Sequence, residues 1–306
     1  MSLKILIIGA NGQLGNELER CFSTGEAEIG PIPEAYADAV VFYRDVDSLD
    51  ITDVDAVSKA FEETQPDIVI NCAAFTNVDG CEANEALAFA VNAKGAENLA
   101  VAAEKYGAKL VHVSTDYVFP GTDSKPRVES DKTAPISAYG RTKLAGEMAV
   151  KANCNRYLIV RTAWLYGYVG KNFVKTMMAL GKQHDEVSVV DDQLGNPTSA
   201  NDLAYTILKL ALTDNYGVYH ATNEGTCSWA DFAASIMGGA SLDCEVIPVT
   251  SAQWKEMHPE SADRPAFSSL ENKHLADTIG NEMRPWQDAL ASYLDNYEKL
   301  RIRIYD

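Results

Sequence analysis

A glycine-rich turn between an apolar strand and a helix is the feature that most constrains the fold of this chain. Lys4 to Ile8 is a continuous β-type run, and Gly9, Gly12 and Gly15 follow it as a GxxGxxG turn that opens a helical pattern. The first glycine allows the tight turn, the second lets backbone approach a pyrophosphate, and the third lets the helix pack closely on the strand. Because the helix N-terminus also offers free N–H groups to phosphates, the turn predicts a dinucleotide-binding domain.

Strand-like and helix-like segments alternate through the rest of the first half. Short apolar runs favour strands, and longer amphipathic runs between them favour helices. The predicted strands after the first are 40–43, 67–71, 109–114 and 157–162, and the predicted helices are 54–64, 82–106 and 137–151. This alternation predicts an α/β fold with a Rossmann-like, doubly wound parallel sheet that is covered by helices on both faces.

The second half is less regular and is punctuated by glycine and proline. It predicts a smaller C-terminal α+β lobe that binds the substrate. We expect the dinucleotide-binding domain to span 1–165, with 186–216 returning to it. The substrate-binding lobe is then formed mainly by 166–185 and 217–306.

Charge and composition narrow the classes of partner and the compartment. The chain has 26 basic and 44 acidic residues, a net charge of −18, which argues against binding to nucleic acid or to an anionic membrane. It has no apolar run of transmembrane length and no signal-peptide pattern at its start. Six cysteines without a CxxC pair are typical of reduced thiols. We therefore expect a cytoplasmic protein with no nucleic-acid or membrane partner, and we predict no metal site.

The end of the second strand bears on the choice of cofactor. An acidic residue at this position holds the adenosine ribose in many dinucleotide-binding domains, and Asp45 stands there. Its neighbour Arg44 is instead suited to face a 2′-phosphate, so the choice between NADH and NADPH stays open. Asp50 and Ile51 are placed to contact the adenine, with a plain helix cap by Asp50 or Thr52 as the alternative.

A tyrosine and a lysine provide acid-base chemistry. Tyr139 and Lys143 are four residues apart, on one face of a predicted helix. A neighbouring ammonium lowers the pKa of a phenol, so that Tyr139 can protonate a carbonyl oxygen while hydride reaches the carbon. Lys143 can also bond the nicotinamide ribose. Thr115, which we prefer to Ser114, ends the fourth strand and can bond the same carbonyl oxygen from a second direction.

The order of glycine turn, strand-end hydroxyl and Tyr-Lys pair resembles the extended branch of the short-chain dehydrogenase/reductases. The sequence motifs around these residues resemble one family within this branch, the dTDP-4-dehydrorhamnose reductases. These motifs include STDYVFPG and YGRTKLAGE, and together they cover nearly the whole chain in order. They lie at residues 71–79, 114–121, 139–147, 161–167, 192–198 and 264–270.

The resemblance implies reduction of the 4-keto group of dTDP-4-dehydro-L-rhamnose by NADPH or NADH, with Thr115, Tyr139 and Lys143 as catalytic residues. It implies a monomer or homodimer whose partner is this nucleotide sugar. The implied cofactor contacts are Gly9, Gly12, Gln13, Leu14, Asp50, Ile51, Ala73, Ala74, Thr76 and Asn92. The implied substrate contacts are Val78, Tyr117, Trp164, Asn172 and Arg264. Stacking of a sugar or thymine on Trp164 and pairing of Arg264 with the diphosphate are physically reasonable.

Two alternatives are kept. The first is another nucleotide-sugar epimerase or dehydratase of the same fold, although a 4,6-dehydratase needs an Asp-Glu pair where this chain has Asp116-Tyr117. The second is a non-catalytic regulatory subunit that resembles the beta subunit of methionine adenosyltransferase. An intact Thr115, Tyr139 and Lys143 argues against the second reading.

Overall fold

The computed structural model describes residues 2–122 and 124–305 of the chain. Its strands follow the apolar runs of the first half and add short pairs in the second half. They are β1 Lys4–Ile8, β2 Val40–Arg44, β3 Ile68–Asn71, β4 Lys109–Thr115, β5 Tyr157–Thr162, β6 Leu165–Tyr166, β7 Glu186–Val190, β8 Leu194–Gly195, β9 Thr198–Ser199, β10 Gly217–His220, β11 Cys227–Ser228 and β12 Glu245–Val249.

The helices connect these strands and complete the second lobe. They are α1 Gln13–Thr24, α2 Val54–Thr64, α3 Val78–Ala83, α4 Glu85–Phe89, α5 Ala96–Tyr106, α6 Ala138–Asn153, α7 Phe173–Gly181, α8 Ala200–Ala211, α9 Trp229–Gly239, α10 Ser251–Met257, α11 Lys273–Thr278 and α12 Trp286–Tyr305. Short 3₁₀ turns cover Glu34–Tyr36 and Asp116–Val118, and a π-helical turn covers Ala90–Gly95. Among the described residues, no helix has the length and hydropathy needed to cross a membrane.

A six-stranded sheet in the order β10-β5-β4-β3-β1-β2 forms the centre of the first lobe. Every pairing in it is parallel. Side chains alternate along β1, so that Ile5 and Ile7 pack on the face covered by α1 and α8, while Leu6 and Ile8 pack on the face covered by α2 and α5. The expected doubly wound α/β fold is therefore confirmed. Its parallel strands bring their carboxyl ends to one edge, where such sheets bind ligands.

The second lobe has its own core of buried aromatic and aliphatic side chains, mainly from α7, α9 and α12. Two segments differ from the predicted division between the lobes. Gly217–His220 pairs with β5 as the edge strand of the large sheet, although 217–306 was expected mainly in the second lobe. Glu186–Val190 pairs with β12 in a small parallel sheet, although 186–216 was expected to return to the first lobe. Both strands pair with segments that are distant in sequence, and the local residue pattern does not indicate such a partner.

The single long helix expected over 82–106 is broken in the structure. Asn84, with φ −146°, ends α3, and its side chain caps α4 by accepting a bond from the N–H of Leu87 at 3.1 Å. Asparagine competes for backbone hydrogen bonds in this way, which explains its preference for helix caps. The following π-helical turn, Ala90–Gly95, holds Asn92 inward against α6.

Candidate functional site

The glycine turn has the backbone geometry of a phosphate-binding loop. Gly9 has φ +78°, and a Cβ on it would lie 2.7 Å from the backbone nitrogen of Ala73. A Cβ on Gly15 would lie 2.3 Å from the carbonyl oxygen of Gly9. Because real Cβ atoms do not approach backbone so closely, both positions require glycine, as the sequence pattern predicted.

The start of α1 leaves its backbone donors available to an anion. Gly12 is the N-cap residue and supplies no side-chain hydrogen bond. The carboxylate of Asp45 accepts a hydrogen bond from the N–H of Asn11 at 2.8 Å, which ties the turn to the end of β2. The backbone N–H groups of Gly9 and Ala10 donate to the carbonyl oxygen of Arg44. A bare helix N-terminus beside a glycine turn fits the pyrophosphate of a dinucleotide.

One cavity of about 730 Å³ runs from the glycine turn past the ends of β3 and β4 into the second lobe. Its volume lies in the usual range for ligand pockets. It brings together most of the residues that the sequence singled out. These are Gly12, Gln13, Leu14, Ala74, Thr76, Val78, Thr115, Tyr117, Tyr139, Lys143, Trp164 and Arg264.

Tyr139 and Thr115 both line this cavity, and Thr115 is close enough to lower the pKa of Tyr139, against the larger effect of burial. The Thr115 hydroxyl donates to the Asp116 carboxylate at 2.8 Å. Burial raises the pKa of Asp116 to about 6, against the hydrogen bonds that lower it. The Asp116 carboxylate therefore accepts the hydroxyl proton of Thr115 in this structure, and the Thr115 oxygen accepts from the N–H of Tyr117 at 3.2 Å.

Lys143 is 2% exposed, and its Nζ donates to the carbonyl oxygen of Val113 at 2.7 Å. Burial lowers the pKa of Lys143 to about 8, opposed by Glu147 and Cys72. The expected lowering of the Tyr139 pKa by this ammonium is not seen, since burial raises the pKa of Tyr139 above its usual range. Desolvation disfavours the Tyr139 phenolate, while the Lys143 ammonium is directed at the carbonyl oxygen of Val113.

Both faces of the Trp164 ring are covered by neighbouring residues. Trp229 stacks on one face of its ring, with a centroid separation of 3.5 Å and an interplanar angle of 7°. A Cβ on Gly195 would lie 2.5 Å from Cε2 of Trp164, nearer than to the adjacent Nε1 and Cζ2 atoms, which places Gly195 over the other face. The expected stacking of a sugar or thymine on Trp164 is therefore corrected in this structure, because only the ring edge is open.

Arg264 and Asn172 occupy different places relative to the cavity. Arg264 lines it and forms an ion pair with Asp79 at 3.4 Å. Asn172 lies outside the lining and caps α7 by accepting from the N–H of Lys175. Its amide nitrogen donates to the side-chain oxygen of Gln13 at 2.9 Å, so Asn172 positions a lining residue instead.

The remaining predicted residues also lie outside the lining. Asn92 is 1% exposed, and its amide bonds both the N–H and the carbonyl of Phe75 and the hydroxyl of Thr142. Its polar atoms therefore hold the chain after β3 and have none left for a cofactor. Asp50 accepts from the N–H and the hydroxyl of Thr52, but the N-cap of α2 is Asp53, so a helix cap by Asp50 or Thr52 is wrong. Ile51 is buried in the core. Gly9, Gly15, Asp45 and Ala73 are not among the lining residues either.

Several lining residues were missed by sequence reasoning. Phe173, Met177, Val190, Trp229 and Trp254 come from the second lobe. Phe173 and Met177 lie on α7, and a pattern of apolar residues does not say which of them face a cavity. Among residues 2–122 and 124–305, no cluster of His, Cys, Asp and Glu side chains is suited to holding a metal ion.

The combination of this parallel sheet with a glycine turn and a Tyr-Lys pair beside a strand-end threonine defines the extended short-chain dehydrogenase/reductases. A family model described as RmlD substrate binding domain matches residues 3–299. A dTDP-4-dehydrorhamnose reductase of Mycobacterium tuberculosis is 42% identical over an alignment of 305 residues, and the match covers 96% of this chain and 93% of that protein. The chain belongs to the dTDP-4-dehydrorhamnose reductase family.

Solved structures agree with this assignment. The crystal structure of a dTDP-4-dehydrorhamnose reductase from Clostridium acetobutylicum has a TM-score of 0.89 and 48% identity, and the match covers 97% of this chain and 100% of that chain. The reductase from Bacillus anthracis, solved in complex with NADP, has a TM-score of 0.87 and 41% identity, with 99% and 100% covered. These findings confirm the expected oxidoreductase class and its nicotinamide cofactor.

Proposed function

We propose that the chain reduces the 4-keto group of dTDP-4-dehydro-L-rhamnose to give dTDP-L-rhamnose. Membership of the reductase family supports the substrate class. The observation that carries the proposal is the single cavity in which Tyr139, Thr115 and Lys143 stand beside Gly12 and Gln13 of the glycine turn. Candidate acid-base groups in the same cavity as a glycine turn support the proposal, because reduction of a carbonyl needs a proton donor beside the cofactor.

Bound NADPH or NADH supplies the hydride that reaches C4 of the sugar. Tyr139 donates its phenolic proton to the C4 oxygen, so that the product is a neutral alcohol. Its raised pKa suits a proton donor, because the phenol stays protonated until negative charge develops on the substrate oxygen. Thr115 donates its hydroxyl proton to the same oxygen from the β4 side, in exchange for its present acceptor, the Asp116 carboxylate.

Lys143 stabilises the phenolate that remains after proton transfer. Its ammonium sits near the Tyr139 side of the cavity and reaches the nicotinamide ribose once the cofactor is bound. Burial makes this charge more effective, since water does not screen it. Arg264 faces the diphosphate, in exchange for its present partner Asp79.

The test is substrate-dependent oxidation of NADPH and of NADH by the purified protein, with product identified as dTDP-L-rhamnose. The variant Tyr139→Phe keeps the ring and removes the proton, so turnover should fall by about 10²- to 10⁴-fold while NADPH still binds. Near-normal turnover of that variant would remove Tyr139 from the acid role. Cofactor binding with no oxidation by the wild type would favour another nucleotide sugar or the regulatory-subunit reading.

A further inference from the structure

The cavity continues beyond Thr115, Tyr139 and Lys143 into a region to which the proposed function assigns no role. This far end is lined by side chains of α7 and β7, among them Met177, Leu180, Val189 and Val190. Ser188 also lines it, is exposed, and lies on β7. The region is thus a mainly apolar slot that also carries the hydroxyl groups of Ser188 and Thr176, and it belongs to the same cavity as Tyr139 and Lys143.

A segment that we call the strap, residues 250–264, passes from this far end back to the first lobe. At its start, the carboxylate of Asp192 accepts from the N–H of Ser251 at 2.9 Å and from its hydroxyl at 2.6 Å. At its end, the carboxylate of Asp79 accepts from the N–H of Ala262 at 2.8 Å and pairs with Arg264 at 3.4 Å. The strap is therefore bonded to both lobes across the cavity.

The strap carries a short helix, α10, whose side chains are not buried. Thr250 and Gln253 form a capping box that fixes its start. Trp254 is the half-buried residue that this helix turns into the cavity lining. An apolar core does not hold the helix in place, so its polar anchors set the position of Trp254.

Trp254 differs from the other large aromatic residues of the lining. Both faces of Trp164 are covered, and Trp229 is stacked on Trp164 while also packing against Phe173 at 4.6 Å. For Trp254, the recorded ring contact is with His258 of its own helix, at 4.3 Å and 34°. An indole that lines a cavity, with its ring neighbour on the strap itself, offers a surface on which a flat ligand group can stack.

We propose that Trp254 stacks on the pyrimidine base of the nucleotide-sugar substrate. The inference rests on the proposed function, since it concerns the far part of the same substrate. With the sugar at Tyr139 and the diphosphate at Arg264, the nucleoside lies toward the strap. The slot beneath Trp254 matches a base, because its apolar walls accept the ring while Ser188 can bond a polar edge.

The experiment measures binding of dTDP, inorganic pyrophosphate and NADPH by calorimetry to the wild type and to Trp254→Ala, Trp254→Phe and Met257→Ala. Met257 is the matched control, because it lies on the same helix, is 52% exposed and does not line the cavity. Loss of base stacking should weaken dTDP binding by about 10-fold in Trp254→Ala. Trp254→Phe should recover most of that affinity, and Met257→Ala should match the wild type.

Pyrophosphate and NADPH should bind equally well to all of these proteins. In turnover, Trp254→Ala should raise KM for the nucleotide sugar with little change in kcat, which is the pattern of a uniform binding contact. A dTDP affinity within twofold of wild type in Trp254→Ala, or a loss of NADPH affinity instead, would overturn the inference. So would a wild type that does not bind dTDP. Tight dTDP binding that depends on Trp254, with no reductase activity, would refute the proposed function and leave this inference standing.

Discussion

Replacement of Glu147 by glutamine tests the buried ion pair that supports helix α6. Glu147 follows Lys143 by one turn on α6 and is fully buried. Its two oxygens accept from Nε and Nη2 of Arg161 at 2.8 and 2.7 Å, and one also accepts from the Ser114 hydroxyl at 2.7 Å. The pair thus joins α6, β4 and β5 directly below Tyr139 and Thr115.

The expected loss of stability in Glu147→Gln follows from the burial of Arg161, the partner that remains. Arg161 is 2% exposed, so Glu147→Gln leaves a guanidinium charge without a counter-charge in the interior. Breaking a buried pair in this way costs about 3–5 kcal/mol of unfolding free energy. Glutamine keeps the size and one acceptor, so we expect the lower end, about 3 kcal/mol. For a chain of this size the melting temperature should fall by about 6 °C.

The assay is urea denaturation followed by circular dichroism, with Glu63→Gln as the matched control. Glu63 pairs with Lys59 at 3.8 Å, but these side chains are 54% and 77% exposed, so the control should change stability by less than about 0.5 kcal/mol. Replacing both partners, as Glu147→Leu with Arg161→Met, should recover stability relative to the single variant. Equal effects of Glu147→Gln and Glu63→Gln would refute the reasoning, because burial would then not set the cost.

Two further variants test the cofactor turn and the lysine. Gly15→Ala places a Cβ 2.3 Å from the Gly9 carbonyl oxygen, so the turn must shift and NADPH affinity should fall roughly tenfold, measured by fluorescence titration against an unchanged circular dichroism spectrum. Because burial lowers the pKa of Lys143 to about 8, kcat/KM should decline as the pH rises through that value and the ammonium is lost. Lys143→Arg stays charged and should move this decline to higher pH; an unchanged profile would exclude Lys143 as its origin. In the unfolded chain this lysine keeps its proton up to its ordinary pKa of 10.5, whereas in the folded chain it loses the proton near pH 8. The free energy of unfolding should therefore increase as the pH rises between these two values.

The parts of the fold and site that the sequence predicted depend on local spacing. The strand-turn-helix from Lys4 through Gly15 is one continuous stretch, and its steric demands are set by residues next to one another. Tyr139 and Lys143 share a helix face because of their separation alone. Thr115 follows from the rule that ligands bind at the carboxyl ends of parallel strands, which needs only the strand assignment.

The parts that the sequence did not predict depend on contacts between distant residues. The pairing of Gly217–His220 with β5 joins strands more than fifty residues apart, and a run of four residues carries no record of its partner. The indole of Trp164 is covered by Trp229 and Gly195, which lie far along the chain. A free tryptophan face and a covered one look alike in sequence, although they bind very different ligands.

The sequence motifs shared with the reductase family contain residues that support the site as well as residues that line the cavity. Asn92 was expected to contact the cofactor, but its amide bonds Phe75 and Thr142 and so holds the segment after β3 against α6. Glu147 is the last residue of the motif that contains Tyr139 and Lys143, but its carboxylate bonds Ser114 and Arg161, and it does not line the cavity. Both residues act on the reaction only through the position of others. Variants of Asn92 and Glu147 should therefore lower stability and turnover together, whereas Tyr139→Phe should lower turnover alone.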